Sequence, residues 1–101
     1  YHRFLKVNPL PIKKDPSEYF NAQVYSTFFR DTVGGHNFEW WGQDNCMWSN
    51  DYPHQNSTWP NSKRFIERNL GHLPADTRRK LLSTNVARLF NLDVKELAMA
   101  A

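Results

Sequence analysis

The chain has 101 residues, of which 40% are hydrophobic and 15% aromatic, and its 13 Lys and Arg against 10 Asp and Glu give a formal net charge of +3. This apolar content is enough for the core of one small domain and argues against a disordered chain. The positive charge is small and scattered, which disfavours a nucleic-acid-binding surface, and no apolar stretch approaches the roughly 20 residues of a membrane span.

The amino-terminal third predicts a connector, a helix and a strand. Pro9 and Pro11 favour an extended connector. Asp15 suits a helix cap, and Glu18 stands three residues later, where its carboxylate can reach back to that cap, so a short helix of about two turns is expected from Pro16. Residues 23–29 alternate, with β-branched and aromatic side chains on both sides. This pattern predicts a strand buried on both faces, as in a parallel sheet.

The middle of the chain predicts a flexible loop and a second strand. Gly34 and Gly35 indicate a loop over residues 34–37, with a plain turn favoured over a mobile lid. Residues 38–41 suit one helical turn ended by Gly42. The apolar run at residues 45–48 predicts the second strand, in which Cys46 is expected to be a buried structural thiol. A single cysteine excludes an internal disulfide framework and suits a reducing compartment, so we expect a cytoplasmic protein.

The carboxyl-terminal part predicts helices. Ser62 is expected to cap a helix over residues 63–70 that Gly71 ends. Pro74 begins the last helical region, with a break expected near residues 83–85, where Thr84 or Asn85 could cap a second helix. An apolar stripe in this region comprises Leu81, Leu82, Val86, Leu89, Phe90 and Leu92.

The predicted order of elements is helix, strand, short helix, strand, helix, helix. Strands that alternate with helices are typical of βαβ units and a parallel sheet. Two strands cannot form a sheet that covers both of its own faces. We therefore expect one partial domain over residues 1–101, a slice of a larger α/β fold.

The polar loop after the second predicted strand holds the candidate site. Asp51 and His54 follow this strand directly, and Pro53 excludes a helix between them. Aromatic residues flank them, namely Trp48, Tyr52 and Trp59. An acid in a loop between a buried strand and a helix is how α/β enzymes position chemistry. The alternative is that Asp51 is a turn residue that bonds to its own backbone.

Three motifs, together with Asn69-Leu70, carry a family resemblance. They are Asn50-Asp51-Tyr52-Pro53-His54, Ser57-Thr58-Trp59-Pro60-Asn61-Ser62 and Asn85-Val86-Ala87-Arg88-Leu89-Phe90. They resemble the carboxyl-terminal end of the amidohydrolase-related family, metal-dependent TIM-barrel hydrolases and decarboxylases similar to aminocarboxymuconate-semialdehyde decarboxylase. The resemblance covers about residues 16–92 and implies that the chain is about the last two βα units of a (β/α)8 barrel.

The resemblance assigns roles to three loop residues. It implies that Asp51 binds a divalent catalytic metal, zinc or manganese, and helps to activate a metal-bound water or to take up a proton. It places His54 near the substrate or in contact with a metal ligand, without binding the metal itself. The alternative is a solvent-facing loop histidine. Trp59 is expected either to pack locally or to contact substrate, and packing is the favoured reading.

The metal site that the resemblance implies is incomplete in this chain. The family's His-x-His pair and its other histidines have no counterpart, since His2, His36 and His72 do not stand at ligand spacing to Asp51. We therefore expect a parent enzyme that acts on a small carbonyl or carboxylate substrate, and a chain that is inactive in isolation. Exposed strand edges predict self-association. The rival functions are a non-catalytic assembly piece and, third, a nucleic-acid-binding module.

Overall fold

A computed structural model describes residues 6–7, 11–38, 40 and 42–93. The described part is mixed α/β, as the alternation of patterns predicts, and its two strands are each followed by helices. In chain order the elements are α1 (Pro16–Gln23), β1 (Ser26–Phe28), α2 (Thr32–Asn37), β2 (Cys46–Trp48), α3 (Ser62–Leu70), α4 (Ala75–Arg79), a π-helix (Lys80–Thr84) and α5 (Asn85–Phe90).

The two strands form a parallel pair, which confirms the predicted orientation. Ser26 lies opposite Cys46, and Phe28 lies opposite Trp48. The predicted start of the first strand is wrong, because Gln23 is the last residue of α1 and the Val24 N–H still donates to the Phe20 carbonyl at 2.9 Å. Burial of β1 on both faces is also not found, since its middle residue is exposed.

Helix α1 begins where the sequence predicts. The Asp15 N–H donates to Glu18 Oε2 at 2.9 Å, and the Glu18 N–H donates to the Asp15 carbonyl at 3.0 Å. Pro16 occupies the first helical turn, where its missing N–H leaves no intrahelical bond unmade. Of the predicted connector, Pro9 lies outside the described residues, as do positions 39 and 41 of the expected turn before Gly42.

The glycine-rich segment is a helix, and the predicted loop over residues 34–37 is wrong. Asp31 caps α2, because its Oδ1 accepts the Gly34 N–H at 2.6 Å and its carbonyl accepts the Gly35 N–H at 3.1 Å. Both glycines are buried. A Cβ on Gly35 would lie 2.6 Å from the Asn69 carbonyl oxygen. Gly35 therefore allows α2 to approach α3 closely.

The core lies against β2. It is formed by Phe38, Cys46, Leu70 and Leu81, with Phe28, Trp48, Ile66 and Leu73 packed at its margin. The predicted burial of the Cys46 thiol is confirmed. Burial raises the pKa of this thiol, a hydrogen bond with Ser26 Oγ at 3.1 Å lowers it less, and the Asp31 carboxylate adds to the rise.

Helix α3 begins one residue earlier than predicted and ends at Gly71, as predicted. Asn61 is its N-cap, so the expected capping role of Ser62 is wrong. The Ser62 hydroxyl instead lies 3.1 Å from Thr58 Oγ1. This bond joins the first turn of the helix to the loop that precedes it.

The last helical region is continuous, which corrects the predicted break near residues 83–85. A π turn stands there, and the Asn85 N–H donates to the Lys80 carbonyl five residues earlier. Neither Thr84 nor Asn85 caps a new helix: Thr84 has helical dihedrals and makes no side-chain cap bond, and Asn85 continues the helix.

The predicted apolar stripe is buried only in part. Leu81 is buried, whereas Leu82, Leu89 and Phe90 are exposed. A π turn holds an extra residue, so it rotates the following residues by about 100° relative to a uniform α-helix. In consequence Asn85 and Ala87 are buried after the turn.

Side chains from this region secure the segment before β2. Asn85 Nδ2 donates to the Gln43 carbonyl at 2.9 Å and to the Cys46 carbonyl at 2.8 Å. Arg88 donates to the Asp44 carbonyl, and Lys80 pairs with the Asp44 carboxylate at 2.6 Å. The amino end of β2 is therefore fixed from one side by the carboxyl-terminal helices.

Candidate active-site loop

Residues 49–61 form a loop at the carboxyl end of β2, and this loop carries all three predicted site residues. Because the strands are parallel and Phe28 lies opposite Trp48, the chain leaves both strands at the same edge of the sheet. Arg30 follows β1 there, and Asp51 follows β2. This edge is where open α/β sheets and barrels position reactive groups.

Asp51 stands at a sharp turn. Its φ is +58°, in the left-handed region that a residue with a side chain adopts at some conformational cost and that Asp and Asn tolerate best. Its N–H donates to Ser49 Oγ at 3.3 Å, and its carbonyl accepts the His54 N–H at 2.8 Å. The Tyr52 N–H donates to Asn50 Oδ1 at 3.1 Å. The turn therefore orients Asp51 mainly through its backbone and leaves the carboxylate for other contacts.

The structure brings Asp51 and His54 together. His54 Nδ1 lies 3.4 Å from Asp51 Oδ2, close enough for an ion pair when the imidazole is protonated. The two side chains are 69% and 48% exposed, respectively. Because both groups face solvent, this pair contributes little to stability, and its atoms stay accessible to a ligand.

Two aromatic rings of the same loop pack on each other. The Tyr52 and Trp59 ring centroids are 5.1 Å apart and the rings are tilted by 58°. Each residue is 60% exposed, so Trp59 packs on a neighbouring ring and not in the core. Peptide bonds Tyr52–Pro53 and Trp59–Pro60 are both cis. The loop therefore exposes an aromatic ring pair as well as a carboxylate and an imidazole.

Hydrogen bonds close the base of the loop. The Asn50 carbonyl accepts the Ser57 hydroxyl at 2.7 Å and the Thr58 N–H at 3.0 Å. The Trp59 N–H donates to Ser57 Oγ at 3.0 Å. Thr58 is buried. The start and end of the loop are therefore tied to each other one residue before Asp51.

The remaining described histidines lie together elsewhere in the chain. His36 and His72 stack with ring centroids 4.3 Å apart, and His72 Nε2 lies 3.3 Å from the Gly35 carbonyl oxygen. They line a cavity of about 280 Å³ with Leu73 and Thr77. Their contacts join α2 to the chain that follows α3.

A complete metal site is not formed within the described part of the chain. The residues described there contain no group of three or more His, Cys, Asp and Glu side chains that could hold a metal ion. Asp51 and His54 offer at most two side-chain donor groups, whereas a catalytic zinc normally has three protein ligands. The donor set therefore fits part of a site and not a whole one.

The comparison with known families decides the broader identity. A family model described as Amidohydrolase matches residues 9–92. The chain belongs to the amidohydrolase family. This match contains both strands and the whole Asp51 loop of the amidohydrolase chain, in agreement with the resemblance of its motifs. A search of curated proteins finds no match.

Sequence patterns do not predict the long-range bonds of two residues: Arg30, which contacts the Asp51 loop, and Asn85, which contacts the opposite end of β2. Arg30 reads as the end of a strand, and Asn85 reads as a helix cap. Arg30 bonds to Ser57, which is 27 residues away, and Asn85 bonds to Cys46, which is 39 residues away. No local spacing reports such contacts. The available signals are that Asn85 lies in a motif that carries the family resemblance and that Arg30 directly follows a predicted strand.

Proposed function

We propose that this chain forms the carboxyl-terminal part of a (β/α)8 TIM barrel, with β1 and β2 as its last two strands. The parent protein is a cytoplasmic, metal-dependent hydrolase or decarboxylase similar to aminocarboxymuconate-semialdehyde decarboxylase. It acts on a small carbonyl or carboxylate substrate. Membership of the amidohydrolase family supports a hydrolase-type parent.

The observation that carries the proposal is the placement of Asp51. It follows a buried parallel strand, its turn is determined by backbone bonds, and its carboxylate remains about half exposed. A residue with φ +58° in a loop tied at its base fits a functional constraint on orientation. The alternative, a turn residue that bonds to its own backbone, accounts for the backbone bonds; the imidazole beside the carboxylate and the family match over this loop favour the functional role.

In the proposed site Asp51 supplies one oxygen ligand for zinc or manganese. His54 lies where it can contact substrate or orient the Asp51 carboxylate, and Trp59 and Tyr52 form one wall beside them. Such a metal, when bound, polarises a carbonyl group or lowers the pKa of water. The other ligands lie beyond the residues described, so the chain alone is proposed to be inactive.

A second candidate is a non-catalytic interaction piece. Exposed apolar side chains favour it, among them Val33, Trp40 and Phe90. Surfaces of this kind promote association, and we propose self-association of the isolated chain.

None of the helices in the described ranges has the length and apolar character required to cross a bilayer.

The test is manganese binding by the full-length natural protein that contains this sequence. Asp51→Asn removes a carboxylate while retaining shape, and we expect Mn²⁺ affinity, measured by electron paramagnetic resonance, to fall by at least about tenfold. Asp76→Asn, at an exposed position in α4, is the matched control and should leave Mn²⁺ affinity unchanged. Equal affinities in the wild type and Asp51→Asn would contradict the metal role.

The isolated chain provides the second arm. We expect no hydrolysis or decarboxylation by the 101 residues alone. Turnover that disappears in Asp51→Ala would show that the chain is a complete enzyme. A stable metal-free oligomer of the full-length protein, without turnover, would favour the interaction piece instead.

A further inference from the structure

We propose that Arg30 is a positioning residue for the Asp51 loop. It acts from the end of one strand on the loop that follows the other, and it determines where the Asp51 carboxylate is held. The inference rests on the proposed function of Asp51. Arg30 itself touches neither Asp51 nor a reacting atom in this assignment.

Arg30 makes a pair of hydrogen bonds across the carboxyl edge of the sheet. Arg30 Nη2 donates to the Ser57 carbonyl at 2.8 Å and lies 3.4 Å from the Asn56 carbonyl. A bond from a charged guanidinium is about twice as strong as one between neutral groups. Two successive loop carbonyls are therefore held by one side chain of the neighbouring strand segment.

Hydrogen bonds connect Ser57 and Thr58 to Asn50, the residue before Asp51. The Ser57 hydroxyl and the Thr58 N–H both donate to the Asn50 carbonyl. A shift of the backbone at Ser57 therefore moves Asn50 as well. Because Asn50 and Asp51 share a peptide bond, a shift of Asn50 also changes the direction in which the Asp51 side chain projects.

Arg30 itself is held by contacts with two aromatic rings. Its guanidinium carbon lies 4.9 Å from the centroid of the Phe65 ring in α3 and 5.8 Å from that of Phe29. The Phe29 carbonyl accepts the Trp48 indole N–H at 3.3 Å. Ring contacts limit the rotamers of the arginine, so its donors are pre-oriented toward the loop. The residue joins β1, α3 and the loop after β2 at a single point.

Arginine suits this position better than lysine does. A planar guanidinium can lie over a ring and donate to a carbonyl in its plane at the same time, whereas an ammonium is a point charge on a flexible stem. Arg30→Lys should therefore restore part of the loop's order and not all of it. This graded response separates positioning from a simple need for positive charge.

The test uses the full-length natural protein and two measurements. Hydrogen exchange reports the loop directly through the Thr58 and Trp59 amides. In Arg30→Ala we expect these amides to exchange about tenfold faster, while amides of α5 remain within about twofold of wild type. Arg79→Ala, an exposed arginine of α4, is the matched control and should leave loop exchange unchanged.

Mn²⁺ affinity is the functional measurement. We expect a loss of about tenfold in Arg30→Ala, comparable to the loss of a supporting contact around a metal ligand, and an intermediate value in Arg30→Lys. If Arg30→Ala does not fold, the graded effect of Arg30→Lys and a Phe65→Leu variant that removes the ring contact test the same inference.

The outcomes separate this inference from the function on which it rests. Wild-type loop exchange and Mn²⁺ affinity in Arg30→Ala, together with loss of Mn²⁺ binding in Asp51→Asn, would overturn the role of Arg30 alone. Unchanged Mn²⁺ binding in Asp51→Asn would overturn the proposed function. Faster exchange throughout the protein in Arg30→Ala would make Arg30 a general structural residue and would also overturn the proposal.

Discussion

The two ends of β2 differ in almost every physical respect. At the amino end the backbone carbonyls are bonded to Asn85 and Arg88, and Cys46 is 2% exposed. At the carboxyl end the Asp51 and His54 side chains face solvent, as does the Tyr52–Trp59 ring pair of the same loop. One short strand therefore joins an anchor, the segment held by several side-chain bonds, to an accessible polar loop.

The difference shows how stability and accessibility are divided along the chain. Buried side chains and paired carbonyls at the anchor stabilise the fold, whereas the loop keeps groups whose chemistry requires contact with solvent or ligand. Changes at the anchor should therefore affect stability, and changes in the loop should affect binding. The following predictions test this division from the largest expected effect to the smallest.

Core truncation should have the largest effect. Leu81 is 1% exposed and packs in the core cluster, so Leu81→Ala should lower the free energy of unfolding by about 2–5 kcal/mol. Its neighbour Leu82 is exposed, and Leu82→Ala is the matched control with an expected change below about 1 kcal/mol. Urea denaturation measures both. Equal losses would contradict the assignment of buried and exposed faces around the π turn.

Loss of Asn85 should have the next largest effect. Asn85→Ala leaves the Gln43 and Cys46 carbonyls without this donor, and one of these bonds is buried, so we expect a loss of about 1–3 kcal/mol. Gln55→Ala, in the exposed loop at the other end of β2, should change stability by less than about 0.5 kcal/mol. A small effect of Asn85→Ala on thermal unfolding would show that the amino end is not an anchor.

Replacement of Asp51 by glycine should separate stability from binding. Glycine adopts φ +58° without penalty, so Asp51→Gly should leave stability unchanged or raise it by up to about 1 kcal/mol while Mn²⁺ binding is lost. Asn91→Gly is the control, because Asn91 also has a positive φ, of 54°, and ends α5. It should stabilise without any effect on Mn²⁺. A marked loss of stability in Asp51→Gly would show that the carboxylate is structural.

The thiol of Cys46 gives the smallest effect. Burial raises the pKa of the Cys46 thiol in the folded protein. Below the ordinary thiol pKa of about 8.5, the thiol is neutral in both the folded and the unfolded protein. In that range the stabilisation that comes from the buried neutral thiol is fully present. As pH rises through that value, the unfolded chain releases its proton first and stability falls. The stability difference between wild type and Cys46→Ala should therefore shrink between about pH 7 and about pH 10. A constant difference would contradict the burial.

Sequence patterns predict this fold best where the contacts that decide it are local. The start of α1 depends on a bond between Asp15 and Glu18, three residues apart, and it is correct. Gly34 and Gly35 predict a loop, because glycine permits φ values that other residues avoid. That prediction is wrong: Asp31 caps α2 through the Gly34 N–H, and Gly35 packs against the Asn69 carbonyl, a contact that no local pattern contains.

The candidate site shows the same division. The sequence places Asp51 after a buried strand, and the structure adds its proximity to His54, three residues on, and the pairing of Tyr52 with Trp59. The roles of these residues in binding stay predictions. The bonds that Arg30 and Asn85 make to distant carbonyls could not be predicted, because they depend on the packing of three separate elements.

The π turn at Lys80–Thr84 has a consequence for how related chains are compared. A turn of this kind is equivalent to one residue inserted into an α-helix, so a relative that lacks the insertion would carry a plain helix of shorter length here. Position-by-position matching across this point would pair Asn85 with the wrong residue. A one-residue gap placed within Lys80–Thr84 would keep its bonds to Gln43 and Cys46 in register.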